Sequence, residues 1–155
     1  MTGEFTAHLG LGQSEVNVRD ALVTVLHSAP LGKRGGFVIF GGKRDVDYVQ
    51  YALDPNGLEL NWPTFQEDGK QRLPQFEKYL KAKGYVRVFS SKQGSSLAEQ
   101  IMALRQGQYM ILDDGLYCQV GRNVDEIRKI TIELMEKVFG VTGEKNFKIT
   151  LEPNG

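Results

Sequence analysis

Residues 37–62 read FVIFGGKRDVDYVQYALDPNGLELNW, and this stretch determines the fold. It contains three runs rich in apolar residues, and apolar and polar residues alternate in the second and third runs. Alternation of this kind is typical of strands, because successive side chains of a strand point to opposite faces of the sheet. The segments 41–45 and 54–57 carry the glycine, proline and asparagine that turns require. We therefore predict a three-stranded antiparallel meander.

The alternation also predicts which side chains share a face of the meander. The residues expected on the core face are Val49, Tyr51, Leu53, Leu58, Leu60 and Trp62. The aromatic residues of the predicted strands, including Tyr85 and Phe89 further along the chain, are interpreted mostly as core. Val46, Tyr48 and Gln50 are turned to the opposite side. If helices cover only the first side, apolar surface remains on the second, and such surface often marks a protein–protein contact. We therefore take Val46, Tyr48 and Gln50 as the candidate protein-binding residues.

Helical periodicity frames the meander on both sides. Asn17 and Asn123 are suitable N-cap residues, and each precedes apolar residues that recur every three or four positions. Two more helices are predicted at 73–83 and 96–105, and three more strands at 85–89, 109–112 and 116–120. The predicted fold class is α+β: an antiparallel sheet, made of the three-strand meander plus further strands, with helices packed mainly on one face.

The chain has 155 residues, which is the size of one ordinary domain. No repeat, low-complexity tract or interdomain linker divides it. Residues 1–13 lack an apolar stripe and are predicted to form a flexible N-terminal arm. Residues 14–141 are predicted to form a single α+β domain. For residues 142–155 two alternatives stay open, a C-terminal strand or a tail.

Composition argues against several classes of protein. Lysine plus arginine and aspartate plus glutamate number 19 each, so the chain lacks the basic excess that usually accompanies nucleic-acid binding. Its one cysteine, Cys118, cannot form an intramolecular disulfide. No apolar run approaches the roughly 20 residues needed to cross a bilayer, and residues 1–12 do not resemble a signal peptide. A cytoplasmic protein with no nucleic-acid or membrane partner is predicted.

Two glycine–basic segments, 32–36 and 41–44, invite comparison with phosphate-binding loops. A P-loop has a serine or threonine directly after its lysine and leads into a helix, so that backbone amides surround the phosphates. Neither segment has that hydroxyl residue, and the second leads into a predicted strand. Turn formation with solubilising charges is therefore the favoured interpretation.

No constellation of catalytic or metal-binding residues is visible in the sequence. Asp113 and Asp114 are adjacent carboxylates, but they precede Gly115 in a predicted hairpin turn and lack further ligands nearby. Cys118 falls in the middle of a predicted strand, far in sequence from His8 and His27. We therefore predict no catalytic residue, no metal site and no cofactor, and the protein is predicted not to be an enzyme.

Three segments resemble a known family: YVQY at 48–51, YLKAKGY at 79–85 and EKVFGV at 136–141. With the order of predicted elements, they make the chain similar to the type III secretion chaperone-like fold, and most of all to bacterial TY-Chap and YbjN-type domains. The resemblance covers roughly residues 16–141. It implies a non-enzymatic and often dimeric protein-binding module, and it carries over no catalytic residue.

Two functions follow as expectations. The first is a chaperone-like or adaptor domain that binds another polypeptide, a client or a second copy in a homodimer, through a sheet face or an exposed edge. The alternative is a small-molecule-binding regulatory domain or weak enzyme, with a pocket between sheet and helices near the glycine–basic segments at 32–36 and 41–44.

Overall fold

A computed structural model describes residues 17–28, 36–90 and 96–152. The predicted arm at 1–13 and positions 32–35 of the first glycine–basic segment lie outside these residues. The elements, in chain order, are α1 (Val18–Leu26), β1 (Phe37–Gly41), β2 (Tyr48–Asp54), β3 (Gly57–Pro63), α2 (Glu67–Ala82), β4 (Val86–Arg87), α3 (Leu97–Met102), β5 (Gln108–Leu112), β6 (Gly115–Gly121), α4 (Val124–Phe139), a 3-10 turn (Glu144–Asn146) and β7 (Lys148–Glu152).

The described strands form one seven-stranded sheet in the order β4-β5-β6-β3-β2-β1-β7. The predicted meander is confirmed: β1 pairs antiparallel with β2, and β2 pairs antiparallel with β3. The β2–β3 turn brings Leu53 opposite Leu58, as the turn chemistry of 54–57 indicated. Among the described strands, β4 and β5 alone pair in parallel. The predicted α+β class, a mostly antiparallel sheet with helices packed on it, is confirmed.

The core lies between one face of the sheet and helices α1, α2 and α4. The predicted inward residues of the meander are all buried, and the apolar stripes of the three helices are buried or partly buried against them. The indole of Trp62 stacks on Phe76 of α2, with ring centroids 4.6 Å apart, and its Nε1 donates a hydrogen bond to the Gly69 carbonyl at 2.9 Å. These contacts fix α2 over the end of β3.

The C-terminal residues complete the sheet. Strand β7 pairs antiparallel with β1 along its full length, with Leu151 opposite Val38 and Ile149 opposite Phe40. The side chains of Phe147, Ile149 and Leu151 are buried in the core. Of the two alternatives left open for residues 142–155, the structure therefore shows a strand, at Lys148–Glu152.

Strand β4 is shorter than the sequence predicted. Strand character was expected over 85–89, but the ladder with β5 contains only Val86 and Arg87. The Val88 amide still donates to the Tyr109 carbonyl at 2.7 Å, after which the chain leaves the sheet. The expectation that Phe89 is core is wrong, because its side chain is 72% exposed.

The helix starts follow the predicted capping chemistry. The Asn17 side chain accepts a hydrogen bond from the Asp20 amide at 2.9 Å, and the Asn123 side chain accepts one from the Glu126 amide at 3.0 Å. Both bonds satisfy an amide that has no partner inside the helix.

Replacing Asn123 with alanine is expected to lower the free energy of unfolding by about 1 kcal/mol, because the Glu126 amide loses its acceptor. Urea denaturation followed by circular dichroism measures the change. Asn123→Asp keeps an acceptor, and its free energy of unfolding is expected to stay within about 0.5 kcal/mol of that of the parent protein. Equal losses in the two variants would contradict the capping role.

Candidate functional site

The structure separates the three candidate protein-binding residues into two places. Val46 and Tyr48 line a groove of about 300 Å³ at the start of β2, together with Trp62 and the exposed Phe65. The Tyr48 ring is half-buried, and its centroid lies 5.3 Å from that of Trp62. Gln50 lies further along the strand, where its Nε2 donates to Asn61 Oδ1 at 2.6 Å.

Gln50 belongs to a shallow cavity on the sheet face that α1, α2 and α4 do not cover. We call it the open-face cavity, and its volume is about 420 Å³. The residues of the open-face cavity used below are Phe37, Ile39, Gln50, Ala52, Glu59, Asn61 and Tyr117. Three of them supply apolar walls, two supply amides, Tyr117 supplies a phenol ring, and Glu59 supplies a carboxylate. The face is therefore apolar with a few polar groups, a composition typical of binding sites.

Glu59 differs from the other residues of this cavity, because its half-buried carboxylate receives no hydrogen bond from its cross-strand neighbours. Its cross-strand neighbours are Ala52 on β2 and Gln119 on β6. Ala52 has no donor, and the Gln119 amide donates instead to Asp54 Oδ1 at 3.0 Å. Within the described residues, the Glu59 side chain makes no hydrogen bond or ion pair. Burial, and secondly the Asp54 carboxylate, raise the pKa of Glu59 to about 7.

The raised pKa of Glu59 predicts a pH-dependent stability. The folded protein holds the proton of the Glu59 carboxyl more tightly than the unfolded chain does. The contribution of this proton to the free energy of unfolding is therefore complete below the pKa of Glu59 in the unfolded chain, and it is lost as pH rises through about 7. Glu59→Gln removes the dependence, and we expect it to raise the free energy of unfolding by about 1–2 kcal/mol at pH 8 and by much less at pH 5. Urea denaturation at both pH values measures the effect. An equal gain at pH 5 and pH 8 would contradict it.

A third region lies at the β4 edge of the sheet. Three large apolar side chains are exposed there or nearby: Val86 to 62%, Phe89 to 72% and Leu97 to 51%. We call Val86, Phe89 and Leu97 the edge patch. The Arg87 guanidinium lies 4.6 Å from the centroid of the Phe89 ring and so holds that ring in place without burying it.

A groove of about 630 Å³ adjoins the edge patch between α3 and the far half of β5. Leu97 and Ile101 of α3 line one side, and Ile111 and Leu112 of β5 line the other. The groove is therefore walled mainly by apolar side chains and lies where β4 no longer pairs with β5.

The second glycine–basic segment, 41–44, forms a tight turn. The Gly42 amide donates to the Asp47 carbonyl at 2.7 Å, and the Arg44 guanidinium makes a two-point ion pair with the Asp47 carboxylate. The charge of Arg44 is thus already engaged within the turn. A small-molecule pocket beside this segment stays a prediction.

Cys118 and His27, the two potential catalytic residues inside the described ranges, are not brought together. Cys118 is buried on the core face of β6, and burial raises the pKa of its thiol well above the ordinary value. His27 ends α1, where its Nδ1 is 2.9 Å from the Val23 carbonyl oxygen. In the described part of the chain, no three histidine, cysteine, aspartate or glutamate residues cluster as metal ligands do. None of the described helices has the length and apolar character to cross a membrane.

Comparison with known proteins does not define a family for this α+β domain. No protein-family model matches the chain, and no solved structure matches it. A curated protein, serine/threonine-protein phosphatase T of Aspergillus oryzae (strain ATCC 42149 / RIB 40), is 31% identical over 100 residues, which are 62% of this chain and 21% of the phosphatase. The chain therefore spans about a fifth of the length of the relative it matches.

Sequence reasoning missed both the edge patch and Glu59. Phe89 was interpreted as core because it ends a predicted strand, and the helix predicted at 96–105 gave no indication that Leu97 is exposed. The sequence did contain a sign that Glu59 is unusual, because this charged residue lies between Leu58 and Leu60 in a strand near the middle of the sheet. Its neighbours Ala52 and Gln119 could be recognised only once the strand register was known.

Proposed function

We propose that this chain is a non-enzymatic domain that binds another polypeptide, and that the edge patch carries the binding. The observation that carries this proposal is the exposure of Val86, Phe89 and Leu97 at or near β4, the strand that ends the order of the described sheet. Large apolar side chains left exposed at a sheet edge commonly mark sites of protein–protein contact. The resemblance to type III secretion chaperone-like domains supports the same class of function.

The backbone at this edge suits an added strand. Val86 donates its amide to the carbonyl of Gly107, just before β5, and Val88 donates its amide to the carbonyl of Tyr109 on β5. Because backbone groups alternate sides along a strand, the amide and carbonyl of Arg87 point away from β5. β4 ends the strand order of the described sheet. An extended polypeptide that paired with this edge would gain main-chain hydrogen bonds and place its side chains against the edge patch.

The opposite edge of the sheet does not have these features. Strand β7 begins with Lys148 and ends with Glu152, and its apolar side chains Ile149 and Leu151 are buried in the core. Charged residues on an edge strand discourage pairing with another chain. The contrast favours β4 as the edge that receives a partner.

The proposal is tested by selecting peptides from a random display library on the immobilised protein and measuring their affinity by fluorescence anisotropy. Phe89→Asp is expected to weaken binding at least about tenfold, because it places a charge in the apolar contact. Hydrogen exchange should also show that a bound peptide protects the Arg87 amide. Light scattering shows whether a second copy of the chain occupies the edge instead.

Phe65→Asp provides the comparison, since the Phe65 side chain is 70% exposed, almost as much as that of Phe89, but lies in the groove with Val46 and Tyr48. If the edge patch is the binding site, Phe65→Asp leaves the affinity within about twofold of the parent value. A loss in Phe65→Asp and none in Phe89→Asp would overturn the edge proposal and favour the groove of Val46 and Tyr48.

A further inference from the structure

The open-face cavity holds a carboxylate that the fold does not use. Glu59 lies between Ala52, which has no donor, and Gln119, whose amide is committed to Asp54. The Gln119 carbonyl oxygen is also engaged, because it accepts from the Gly121 amide at 2.7 Å. A half-buried carboxylate without a donor costs free energy, and native structures usually satisfy such a group.

The surroundings of this carboxylate are apolar. Phe37 and Ile39 of β1 and Ala52 of β2 form the walls on one side, and Tyr117 of β6 lies on the other. The amides of Gln50 and Asn61 bond to each other. A ligand in this cavity would therefore meet one negative charge beside mainly apolar walls.

We propose that the open-face cavity binds a small organic cation, an ammonium or guanidinium group carried on a short apolar chain. The cation pairs with Glu59, and the apolar chain lies against Phe37, Ile39 and Ala52. A cavity of about 420 Å³ is in the range that accommodates small molecules. This site is separate from the edge patch and does not depend on the proposed polypeptide binding.

The charges around Glu59 favour a cation over an anion. Burial raises the pKa of Glu59, and the Asp54 carboxylate on β2 raises it further. On β6, the Tyr117 phenol is neutral at physiological pH, because burial and the Asp114 carboxylate raise its pKa to about 12. Cys118 also stays protonated, because burial raises its pKa. A bound cation would stabilise the ionised form of Glu59.

The test compares two probes of nearly the same shape, n-butylguanidinium, which is charged, and n-butylurea, which is neutral. Both are titrated into the full chain while amide chemical shifts of Ala52 and Gln119 are followed by NMR. At pH 8 the guanidinium is expected to bind at least about tenfold more tightly than the urea, as a charge-assisted hydrogen bond to a carboxylate would give. At pH 6 its affinity is expected to fall several-fold as Glu59 takes up a proton.

Glu59→Gln is expected to abolish both the preference for guanidinium and the pH dependence, whereas Glu136→Gln, at an exposed position on α4, retains them. Equal binding of the two probes by the parent protein overturns the proposal, and so does a guanidinium preference that survives in Glu59→Gln. A capped Leu-Arg-Leu peptide that binds more than about tenfold tighter than n-butylguanidinium would show that the face takes a polypeptide, which also overturns it.

Discussion

Phe76→Ala is expected to lower the free energy of unfolding by about 3–5 kcal/mol, the range for removing a large aromatic side chain from a packed core. The Phe76 ring is fully buried, stacks on Trp62 and meets the Phe139 ring edge-on, with centroids 6.0 Å apart. Alanine leaves a cavity between α2, α4 and the end of β3 that these rings cannot fill without moving. Chemical denaturation followed by tryptophan fluorescence measures the loss, because Trp62 is the one tryptophan of the chain.

Phe65→Ala is the matched comparison for this substitution. The two phenylalanines lie on either side of the start of α2, but the Phe65 side chain is 70% exposed. Removing an exposed ring leaves no cavity, and we expect a change within about 0.5 kcal/mol. Similar losses of stability in the two variants would contradict the conclusion that the packing of Phe76 against Trp62 stabilises the fold.

The parts of the fold that could be predicted from the sequence are those governed by neighbouring residues. The meander follows from alternation within a strand and from turn chemistry within four residues, and both lie inside the segment 37–62. The helix starts at Asn17 and Asn123 are equally local, because an N-cap side chain bonds to an amide three residues later. Predictions of this kind need no knowledge of which elements meet.

The parts that could not be predicted depend on contacts between distant residues. Strand β7 joins β1 although more than a hundred positions separate them in the chain, and short apolar runs do not specify their partners. The buried hydroxyl of Tyr51 meets Thr131 Oγ1 at 2.7 Å across 80 positions. Nothing near either residue in the sequence indicates that pairing.

The candidate site illustrates the same limit. Alternation placed Gln50 on the face opposite the core, where the open-face cavity lies, but it could not show that the half-buried Tyr48 ring packs against the core residue Trp62 at the end of the strand. It also could not show that β4 would be an edge strand of two paired residues, which is why Phe89 is exposed. Solvent exposure at an edge depends on the order of strands in the sheet, and that order is a property of the whole chain.

Replacing Gly69 with alanine is the second substitution for which we expect a large effect. Helix propensity and the structure predict opposite signs for the change in stability. Gly69 lies in the first turns of α2, where helix propensity predicts that alanine stabilises by up to about 1 kcal/mol. A Cβ at this position would lie 2.2 Å from the Pro63 carbonyl oxygen. The helix must then shift away from β3 and weaken the bond from Trp62 Nε1 to the Gly69 carbonyl. We expect Gly69→Ala to destabilise by about 2–3 kcal/mol, as overpacking does.

The direction of the change decides between the two arguments, because they differ in sign and not only in size. Thermal and urea denaturation of Gly69→Ala measure it, and the emission maximum of Trp62 should move to longer wavelength as its indole loses a partner and gains water. Gln71→Ala, at an exposed position on the same helix, controls for propensity alone and is expected to change stability by less than about 0.5 kcal/mol. If Gly69→Ala were as stable as the parent protein or more so, α2 would not rest on the Pro63 backbone as closely as described.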